Sequence, residues 1–240
     1  MMSKVDILAI GVHPDDIELG AGGTVASQIA QGYKVGLLDL TRGELGTRGT
    51  PELRIEESLR ANKILGGEFR LNIGLADGFF TGSVEEKLKI VEVIRWCQPK
   101  IILTNAVRDR HPDHGRAAEL VNQAAFLAGL KSIETQYEGK VQERWRPDVI
   151  YHYIQDYILE PDIVFDISDY FMVKMEAIKA FRSQFFDPNN EELDSPLTNP
   201  DYFDQLEGRA RSLGRQIGVT YGEGFTVRRY VGTDNLFQLI

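Results

Sequence analysis

Cysteine is nearly absent from the 240-residue chain, whose one cysteine, Cys97, cannot form an internal disulfide. No apolar run approaches the roughly 20 residues that a membrane-spanning helix needs. The first residues, MMSKVDILAIGV, lack the basic segment, apolar stretch and cleavage site of a secretory signal peptide. These absences predict a cytoplasmic protein with no membrane partner, in which Cys97 is a reduced thiol of the core.

Basic residues are outnumbered, since 27 lysines and arginines stand against 36 aspartates and glutamates and give a net charge of -9. Such a surface repels phosphate backbones, so the composition predicts no nucleic-acid partner. Apolar residues at 42% and charged residues at 26% are typical of globular chains and exclude disordered or fibrous structure. Because no break in composition divides the chain, we predict a single domain over residues 1–240.

The first half of the chain alternates apolar runs with helical patterns. The runs 5–11, 34–40, 69–75 and 100–105 are apolar enough to be strands buried on both faces. Helices are predicted between them at about 20–31, 51–66 and 84–98. This alternation is typical of parallel βαβ units, so we predict an α/β, Rossmann-like, mostly parallel sheet with helices on both faces.

The second half of the chain is predicted to form a C-terminal elaboration of this layer. Its segments are a helix at about 114–129, a polar excursion at 131–147, strands at 149–154 and 162–167, a helix at about 169–185, a loop at 185–201, a helix at about 201–217 and a closing strand at 225–231.

The tetrapeptide His13-Pro14-Asp15-Asp16 directly follows the first predicted strand. In open parallel sheets, ligands bind beyond the carboxyl ends of strands, which is where this loop falls. A histidine and a carboxylate three residues later can converge on one metal ion, and the adjacent carboxylate then remains free to accept a proton. A turn that caps the following helix is the alternative interpretation.

A second tetrapeptide, His111-Pro112-Asp113-His114, follows the fourth predicted strand and therefore lies at the same sheet edge. Together the two motifs contain three of the four histidines of the chain, and chance is a poor explanation for that clustering. The fourth, His152, belongs to the apolar run VIYHYI and is predicted to be a core residue.

Two histidines and an aspartate predict a catalytic metal site. Three protein ligands with one open position are the pattern of catalytic zinc, whereas a structural site would prefer thiolates. The same residue types also suit Fe(II) in an oxygenase, but there the histidine and carboxylate usually lie two residues apart on a strand. The spacing therefore favours hydrolysis.

Gly20, Gly22 and Gly23 raise the alternative of a dinucleotide-binding loop. That fingerprint requires a further glycine where the chain has Val25, and HPDDIE separates the strand from the glycines. We expect the glycines instead to let the amino terminus of the first helix pack closely against the metal-binding loop.

Four segments carry a resemblance to a known family: AIGVHPDDIELGAGGT, DLTRGELGTRGTPELR, LADGFF and NAVRDRHPDHGRAA. With them the chain resembles the LmbE/PIG-L family of zinc-dependent N-acetylglucosamine deacetylases, nearly end to end. The segments TRGELGTRGT and YGEGFTVRRYV make it most similar to the deacetylases of bacillithiol biosynthesis.

The resemblance implies that His13, Asp16 and His114 bind zinc and that Asp15 is the general base. This agrees with the motif, because Asp15 reaches a metal bound to His13 less easily than Asp16 does.

The resemblance also implies roles for residues outside the metal site. His111 would stabilise the tetrahedral intermediate and protonate the departing amine, with Asp113 orienting it, while Arg54 and Asp77 would contact the substrate. Tyr202, after the predicted loop, is a further candidate to reach the site.

Arginines near the same sheet edge are candidates for an anion site. Arg42, Arg48 and Arg54 lie in a glycine-rich loop and at a helix start, and an acidic protein needs a local basic cluster to bind an acidic substrate. Arg54 is the best of these candidates. Two further arginines, Arg108 and Arg110, flank the second motif and are assigned to ion pairs with its aspartates. A solvated helix face is predicted from the spacing of Arg209, Arg211 and Arg215.

By resemblance, the substrate is N-acetylglucosaminyl malate, hydrolysed to glucosaminyl malate and acetate with Zn²⁺, or alternatively Fe²⁺, as the metal. A homo-oligomer is expected on the same ground. Another N-acetylglucosaminide, an Fe(II) oxygenase reaction and a non-catalytic carbohydrate-binding module are the alternatives. The free Asp15 argues against pure binding, which has no use for an uncoordinated carboxylate beside a metal.

Overall fold

The computed structural model describes residues 4–185 and 195–239. In these ranges the strands are β1 (Ile7–Gly11), β2 (Val35–Thr41), β3 (Phe69–Leu75), β4 (Ile101–Thr104), β5 (Gln136–Tyr137), β6 (Lys140–Val141), β7 (Val149–Tyr153), β8 (Ile163–Asp166) and β9 (Gly222–Val227). The α-helices are α1 (Asp16–Ala30), α2 (Pro51–Leu65), α3 (Val84–Cys97), α4 (Pro112–Ala128), α5 (Phe171–Lys179) and α6 (Tyr202–Gln216), with short 3₁₀ turns at Ser168–Tyr170, Pro196–Thr198 and Leu236–Leu239.

Seven strands form one sheet in the order β3-β2-β1-β4-β7-β9-β8. The strands β3, β2, β1, β4 and β7 are parallel to one another, whereas β9 is antiparallel to both β7 and β8. Ile7 in the centre pairs in register with Val35 of β2 and Ile101 of β4. The predicted mostly parallel α/β layer is confirmed.

Helices cover both faces of this sheet, and β1 shows how the sequence divides the core. Ile7 and Ala9 pack into the apolar cluster shared with α1, α2 and α5, while Leu8 and Ile10 pack into the cluster shared with α3 and α4. Alternate residues of a strand point to opposite faces, so a continuous apolar run is what a two-sided core requires. Cys97 is fully buried in the second cluster, as predicted.

Helix α1 begins at Asp16, earlier than predicted, and its glycines have a different purpose. A Cβ on Gly20 would lie 2.2 Å from the Tyr153 ring, and one on Gly23 would lie 2.7 Å from Ile167. The glycines therefore let the middle of α1 approach β7 and the segment after β8, rather than packing its amino terminus on the metal-binding loop. The prediction for these glycines was wrong because the helix starts one turn sooner.

The last strand, β9, holds α1 in place through Glu223. The buried Glu223 carboxylate accepts hydrogen bonds from the backbone N–H groups of Gly23 and Thr24, at 3.0 and 2.8 Å. Lys174 of α5 pairs with the same carboxylate at 2.5 Å and donates to the Leu19 carbonyl of α1 at 2.8 Å. A buried charge pair with these added hydrogen bonds ties β9, α1 and α5 together.

Other boundaries differ from the prediction in the C-terminal half. Helix α5 ends at Lys179 instead of 185, and the polar excursion contains the small β5–β6 hairpin. The closing strand β9 begins before the predicted 225 and ends at Val227. Most of the predicted loop 185–201, residues 186–194, lies outside the described residues. Among the described helices, none is both long and apolar enough to span a bilayer.

Candidate active site

The carboxyl ends of β1, β4 and β7 open into one cavity of about 530 Å³. The loop after β1 contributes His13, the segment after β4 contributes His111 and His114, and Gln155 follows β7. The two tetrapeptides that the sequence places at one sheet edge therefore meet in the same cavity.

The first tetrapeptide is a turn closed by its own hydrogen bonds. The His13 N–H donates to the Asp16 carboxylate at 2.8 Å, and the Asp16 N–H donates back to the His13 carbonyl at 3.2 Å. Asp15 between them has a φ of 115°, a left-handed conformation that is uncommon outside glycine. Arg54 donates to the Pro14 carbonyl at 2.7 Å and so fixes the turn from α2.

His13, Asp16 and His114, the predicted metal ligands, come together in this cavity. His114 Nε2 lies 3.2 Å from Asp16 Oδ1, and His13 Nδ1 lies 3.5 Å from Asp16 Oδ2. The centroids of the two imidazole rings are 5.6 Å apart. Two ring nitrogens and one carboxylate therefore face each other at separations that one small cation could bridge.

Each of these histidines has a carboxylate on its other ring nitrogen. His13 Nε2 lies 3.0 Å from Asp77 Oδ1, and His114 Nδ1 lies 2.5 Å from Asp109 Oδ2. Because carboxylates only accept, each of these nitrogens carries a proton, and the nitrogens that would give up a proton to bind a metal are His13 Nδ1 and His114 Nε2, which face Asp16. This is the arrangement in which proteins present histidines to metals.

The electrostatics of the cluster also fit a cation. Burial lowers the pKa of His114, but the Asp16 and Asp109 carboxylates outweigh burial and raise this pKa to about 9. Burial likewise opposes protonation of His13, yet Asp113, Asp16 and Asp77 hold its pKa well above the ordinary value. A site that draws positive charge onto its imidazoles is complementary to a bound divalent ion.

Two groups of three residues have ligand atoms that all lie within 4.8 Å of one another: His13, His111 and His114, and His13, Asp77 and Asp113. Two members of the first group, His13 and His114, also face the Asp16 carboxylate. In the second group, Asp77 and Asp113 lie on the Nε2 side of His13, away from Asp16, and both carboxylates accept backbone N–H groups. We therefore favour His13, Asp16 and His114 as the donor set, with His111 beside it.

Asp15 and Arg54 form a buried pair at the side of the cluster. Arg54 Nη2 lies 3.3 Å from Asp15 Oδ2, and Arg54 Nη1 donates to the Gly43 carbonyl at 3.2 Å. Burial raises the pKa of Asp15 to about 7, with Arg54 opposing the rise. Arg54 lines the cavity, but it is engaged with Asp15 and two carbonyls. Its predicted role as the grip for a substrate acid stays a prediction, and a substrate would have to share the guanidinium with these partners.

His111 caps the amino terminus of α4 and borders the cavity. Its Nδ1 accepts the Asp113 N–H at 3.3 Å, so the neutral ring carries its proton on Nε2. Burial lowers the pKa of His111 below its ordinary value, and positive charge on His13 and His114 lowers it further. The ring is consequently a neutral N–H donor around pH 7.

Asp113 differs from its prediction, because its carboxylate does not orient His111, whereas Asp77 lies at the cavity as a substrate contact requires. The Asp113 carboxylate bonds the Gly78 N–H and Arg116 and lies 3.6 Å from His13, while only its backbone reaches His111. The Asp77 carboxylate lies between His13 and the Leu45 N–H, although it also lines the cavity. Both therefore position His13, because a buried imidazole N–H needs an acceptor.

Sequence reasoning missed Asn105, Asp109 and Gln155, whose side chains contact Asp16 or His114. Asn105 directly follows β4 and Gln155 lies just beyond β7, so the rule that sites form at the carboxyl ends of strands could have found both. Asp109 lies five residues before His114 on the segment between β4 and α4, but no local pattern marks it as a histidine partner.

The cavity mouth is lined by charged residues that the sequence assigned elsewhere. Arg110 donates to the Asp156 carboxylate at 2.5 Å, and Arg209 of α6 donates to the Asp156 carbonyl at 2.9 Å. Arg209 thus borders the cavity instead of a solvated face. Tyr202 also lines the cavity, stacked on Phe185 with ring centroids 5.8 Å apart.

The predicted arginine cluster does not form around the cavity. Of its three members, Arg54 alone lines the cavity wall within the described residues. Arg42 is exposed, and Arg48 is buried with a hydrogen bond to the Phe185 carbonyl.

Comparison with known proteins identifies the family to which this chain belongs. Residues 8–125 match the family model described as PIG-L, GlcNAc-PI de-N-acetylase. A diacetylchitobiose deacetylase from Thermococcus kodakarensis is 33% identical over 197 residues, which cover 75% of this chain and 70% of that protein. The chain belongs to the PIG-L/LmbE family of N-deacetylases.

Further relatives of this PIG-L/LmbE chain extend the match. The conserved protein TT1542 from Thermus thermophilus has a crystal structure that superposes with a TM-score of 0.85 at 34% identity, covering 95% of this chain and 97% of that one. A probable N-acetyl-alpha-D-glucosaminyl L-malate deacetylase 2 from Bacillus subtilis is 29% identical, covering 75% of this chain and 84% of its own length. The family makes the chain a hydrolase, and the comparisons leave its substrate and metal to be argued from the site.

Proposed function

We propose that the chain is a zinc-dependent deacetylase that hydrolyses the acetamido group of an N-acetylglucosaminide, with N-acetylglucosaminyl malate as its substrate. The observation that carries the proposal is the donor set of the cavity. Asp77 and Asp109 each hold one ring nitrogen of His13 and His114, so that the other nitrogen of each ring faces Asp16 and is the one available to a metal.

The metal would be held by His13, Asp16 and His114. A divalent ion there supplies Lewis acidity, polarising the acetyl carbonyl and making a bound water easier to ionise. Zinc fits two imidazoles and one carboxylate better than an oxygen-preferring cation does, and Fe²⁺ is the alternative for the same ligands.

Asp15 accepts a proton from the attacking water. Its carboxylate is buried in the cavity wall beside Arg54, next to the donor set but not part of it. The water oxygen bonds to the acetyl carbon, and the tetrahedral intermediate then breaks its carbon–nitrogen bond. Acetate and a free amine are the products.

His111 faces the same reacting centre with its Nε2–H. A neutral imidazole N–H donates a hydrogen bond to the oxygen that gains charge, and the proton that Asp15 took from the water passes to the leaving nitrogen. Its Nδ1 accepts the Asp113 N–H, which keeps the proton on Nε2 for this purpose.

An acidic aglycone suits the cavity mouth better than a neutral one. Arg110 and Arg209 share the single carboxylate of Asp156, so this part of the mouth carries one more positive than negative charge. Guanidinium groups bind carboxylates with paired hydrogen bonds, which makes these two arginines the anchors for malate in place of Arg54. The malate deacetylase named among the relatives supports the same substrate.

The test is release of acetate from N-acetylglucosaminyl malate and from neutral N,N′-diacetylchitobiose, before and after chelation. We expect metal-dependent hydrolysis with a preference for the malate glycoside. Arg110→Met should lower kcat/KM for the malate glycoside about ten- to a hundredfold and leave the neutral substrate nearly unchanged. No acetate from any N-acetylglucosaminide would contradict the activity, whereas equal losses on both substrates would contradict only the acidic aglycone.

A further inference from the structure

The carboxylate of Asp16 has most of its hydrogen-bonding capacity already in use. Its Oδ2 accepts the His13 N–H at 2.8 Å and the Asn105 side-chain amide at 3.0 Å. Its Oδ1 accepts the Gln155 side-chain amide at 2.9 Å and lies 3.2 Å from His114 Nε2. Since a carboxylate oxygen has about two acceptor positions, Oδ2 is filled and Oδ1 keeps one, on the side of His114.

The orientations of the two amides are fixed by groups that can only donate. Asn105 Oδ1 accepts the Val12 N–H at 2.9 Å, and Gln155 Oε1 accepts the Ala106 N–H at 3.2 Å. Backbone N–H groups must face oxygens, so the amide nitrogens have to point at Asp16. Asn105 Nδ2 also donates to Gln155 Oε1 at 3.0 Å, which joins the two amides into one unit.

This pair, the amide clamp of Asn105 and Gln155, is anchored from the far side of the sheet. The Asn105 carbonyl accepts from His152 Nδ1 at 2.9 Å, and His152 Nε2 accepts from the Asn122 amide of α4 at 3.1 Å. Asn105, Gln155 and His152 are all buried. His152, predicted to be a core residue, is confirmed as buried, and it supports the clamp.

We infer that Asn105 and Gln155 are positioning residues that leave Asp16 one acceptor position, on Oδ1, for a cation. The inference rests on the metal site proposed above. A carboxylate limited in this way adds one oxygen to two imidazole nitrogens. That set favours zinc and cobalt, whereas calcium requires six to eight oxygens and magnesium or manganese an oxygen-rich octahedron. The clamp is thus a determinant of metal selectivity.

The experiment measures metal binding by the full-length chain, stripped of metal and titrated with Zn²⁺, Mn²⁺ or Co²⁺. Asn105→Ala frees one acceptor position on Oδ2 of Asp16. Gln155→Met keeps a side chain of similar size but removes the amide donor, so it frees one acceptor position on Oδ1. We expect Zn²⁺ affinity to fall about 10- to 100-fold in each, as for partners of metal ligands elsewhere. The affinity for Mn²⁺ should fall less than the affinity for Zn²⁺. The visible absorption of bound Co²⁺ should weaken, because more oxygens coordinate the ion.

The matched control is Gln142→Met, which removes a side-chain amide that donates to the Glu92 carbonyl at 2.8 Å, outside the cavity lining. It should retain the wild-type affinity, selectivity and Co²⁺ spectrum. If Asn105→Ala does not fold, Gln155→Met decides the question by itself.

The titration of the wild-type protein distinguishes failure of the proposed metal site from failure of the amide clamp. Wild-type protein that binds none of the three ions would contradict the proposed metal site. Wild-type protein that binds zinc, with clamp variants of unchanged affinity, selectivity and spectrum, would overturn the clamp alone. An equal change in Gln142→Met would also overturn it, because the effect would then be general to lost amides.

Discussion

Asp15 is unusual in both its backbone and its side chain. Its left-handed φ costs of order 1–3 kcal/mol for a residue with a Cβ, and its carboxylate is buried beside Arg54. Hydrogen bonds from Arg54 to the Pro14 carbonyl and from the His13 N–H to Asp16 hold the turn in this shape. The conformation separates the two adjacent carboxylates, so Asp16 can face the histidines while Asp15 faces Arg54.

Asp15→Asn tests this separation, because it keeps the shape and removes the base. We expect zinc content per chain to persist while kcat falls by roughly 10² to 10⁴. Metal analysis and acetate release on the same preparation measure both quantities. Asp16→Asn, the neighbouring change, should instead lose the metal. Loss of zinc from Asp15→Asn would make Asp15 a ligand.

Arg54→Met should shift the pH dependence of the reaction. Burial raises the pKa of Asp15 and Arg54 lowers it, so removing the guanidinium leaves this pKa higher than in the wild type. Because the base must be ionised, the acidic limb of the kcat profile should move to higher pH. Arg110→Met, which removes a cation that does not contact Asp15, is the control and should leave that limb in place. If the acidic limb of Arg54→Met stays at the wild-type pH, Arg54 does not influence the pKa of the catalytic base.

His111→Ala separates stabilisation of the intermediate from metal binding. The variant should retain zinc and lose most of kcat, while the acidic limb of the rate profile, which Asp15 sets, should stay in place. Its ligand atom lies within 4.8 Å of those of His13 and His114, so metal analysis is needed to exclude it as a ligand. A variant with wild-type rate and profile would reduce His111 to a helix cap.

At the scale of elements, α1 is the helix on which the site depends, because its first residue is Asp16 and glycines in its middle let it pack close to the sheet. Gly20 lies against the Tyr153 ring, which is itself anchored by its hydroxyl to the Ile10 carbonyl at 2.9 Å. The close approach leaves no room for a methyl group.

Gly20→Ala should therefore lower the free energy of unfolding by about 1–3 kcal/mol through overpacking. Gly208→Ala is the matched control in α6, where a new Cβ would meet no atom within 4 Å. That change should be neutral or stabilise the fold by up to about 1 kcal/mol. Urea unfolding of the metal-free proteins measures both. If Gly20→Ala and Gly208→Ala have equal free energies of unfolding, the Tyr153 ring can move aside to accommodate the methyl group.

The sequence was sufficient for the pattern of strands and helices and for the residues of the two tetrapeptides. Apolar runs and helix caps are local signals, and the carboxyl-edge rule brings the motifs together without knowledge of packing. Contacts between distant segments carry no such signal. Arg54 was expected to contact the substrate because it lies in the first turn of α2, near the sheet edge, but nothing local in the sequence shows that it also donates to the Pro14 carbonyl.

At the scale of the whole molecule, metal binding and folding are linked. The donor set joins β1, α1 and α4, so an ion bound there stabilises the folded chain by mass action. At a free zinc concentration about 100 times Kd, the free energy of unfolding should rise by roughly 2.7 kcal/mol. Thermal melting with and without zinc measures the effect, and His114→Ala should abolish it. A stabilisation that survives in His114→Ala would place the ion elsewhere.

The position of β9 also determines when this protein can become active during its synthesis. The two tetrapeptides lie within residues 8–125, the region that matches the family model, and leave the ribosome before β9 does. The strand that holds α1 through Glu223, and that alone joins β8 to the sheet, is translated about a hundred residues later. Until then the Gly23 and Thr24 amides lack their acceptor, so we expect a nascent chain to carry every proposed metal ligand and still not hold them in place.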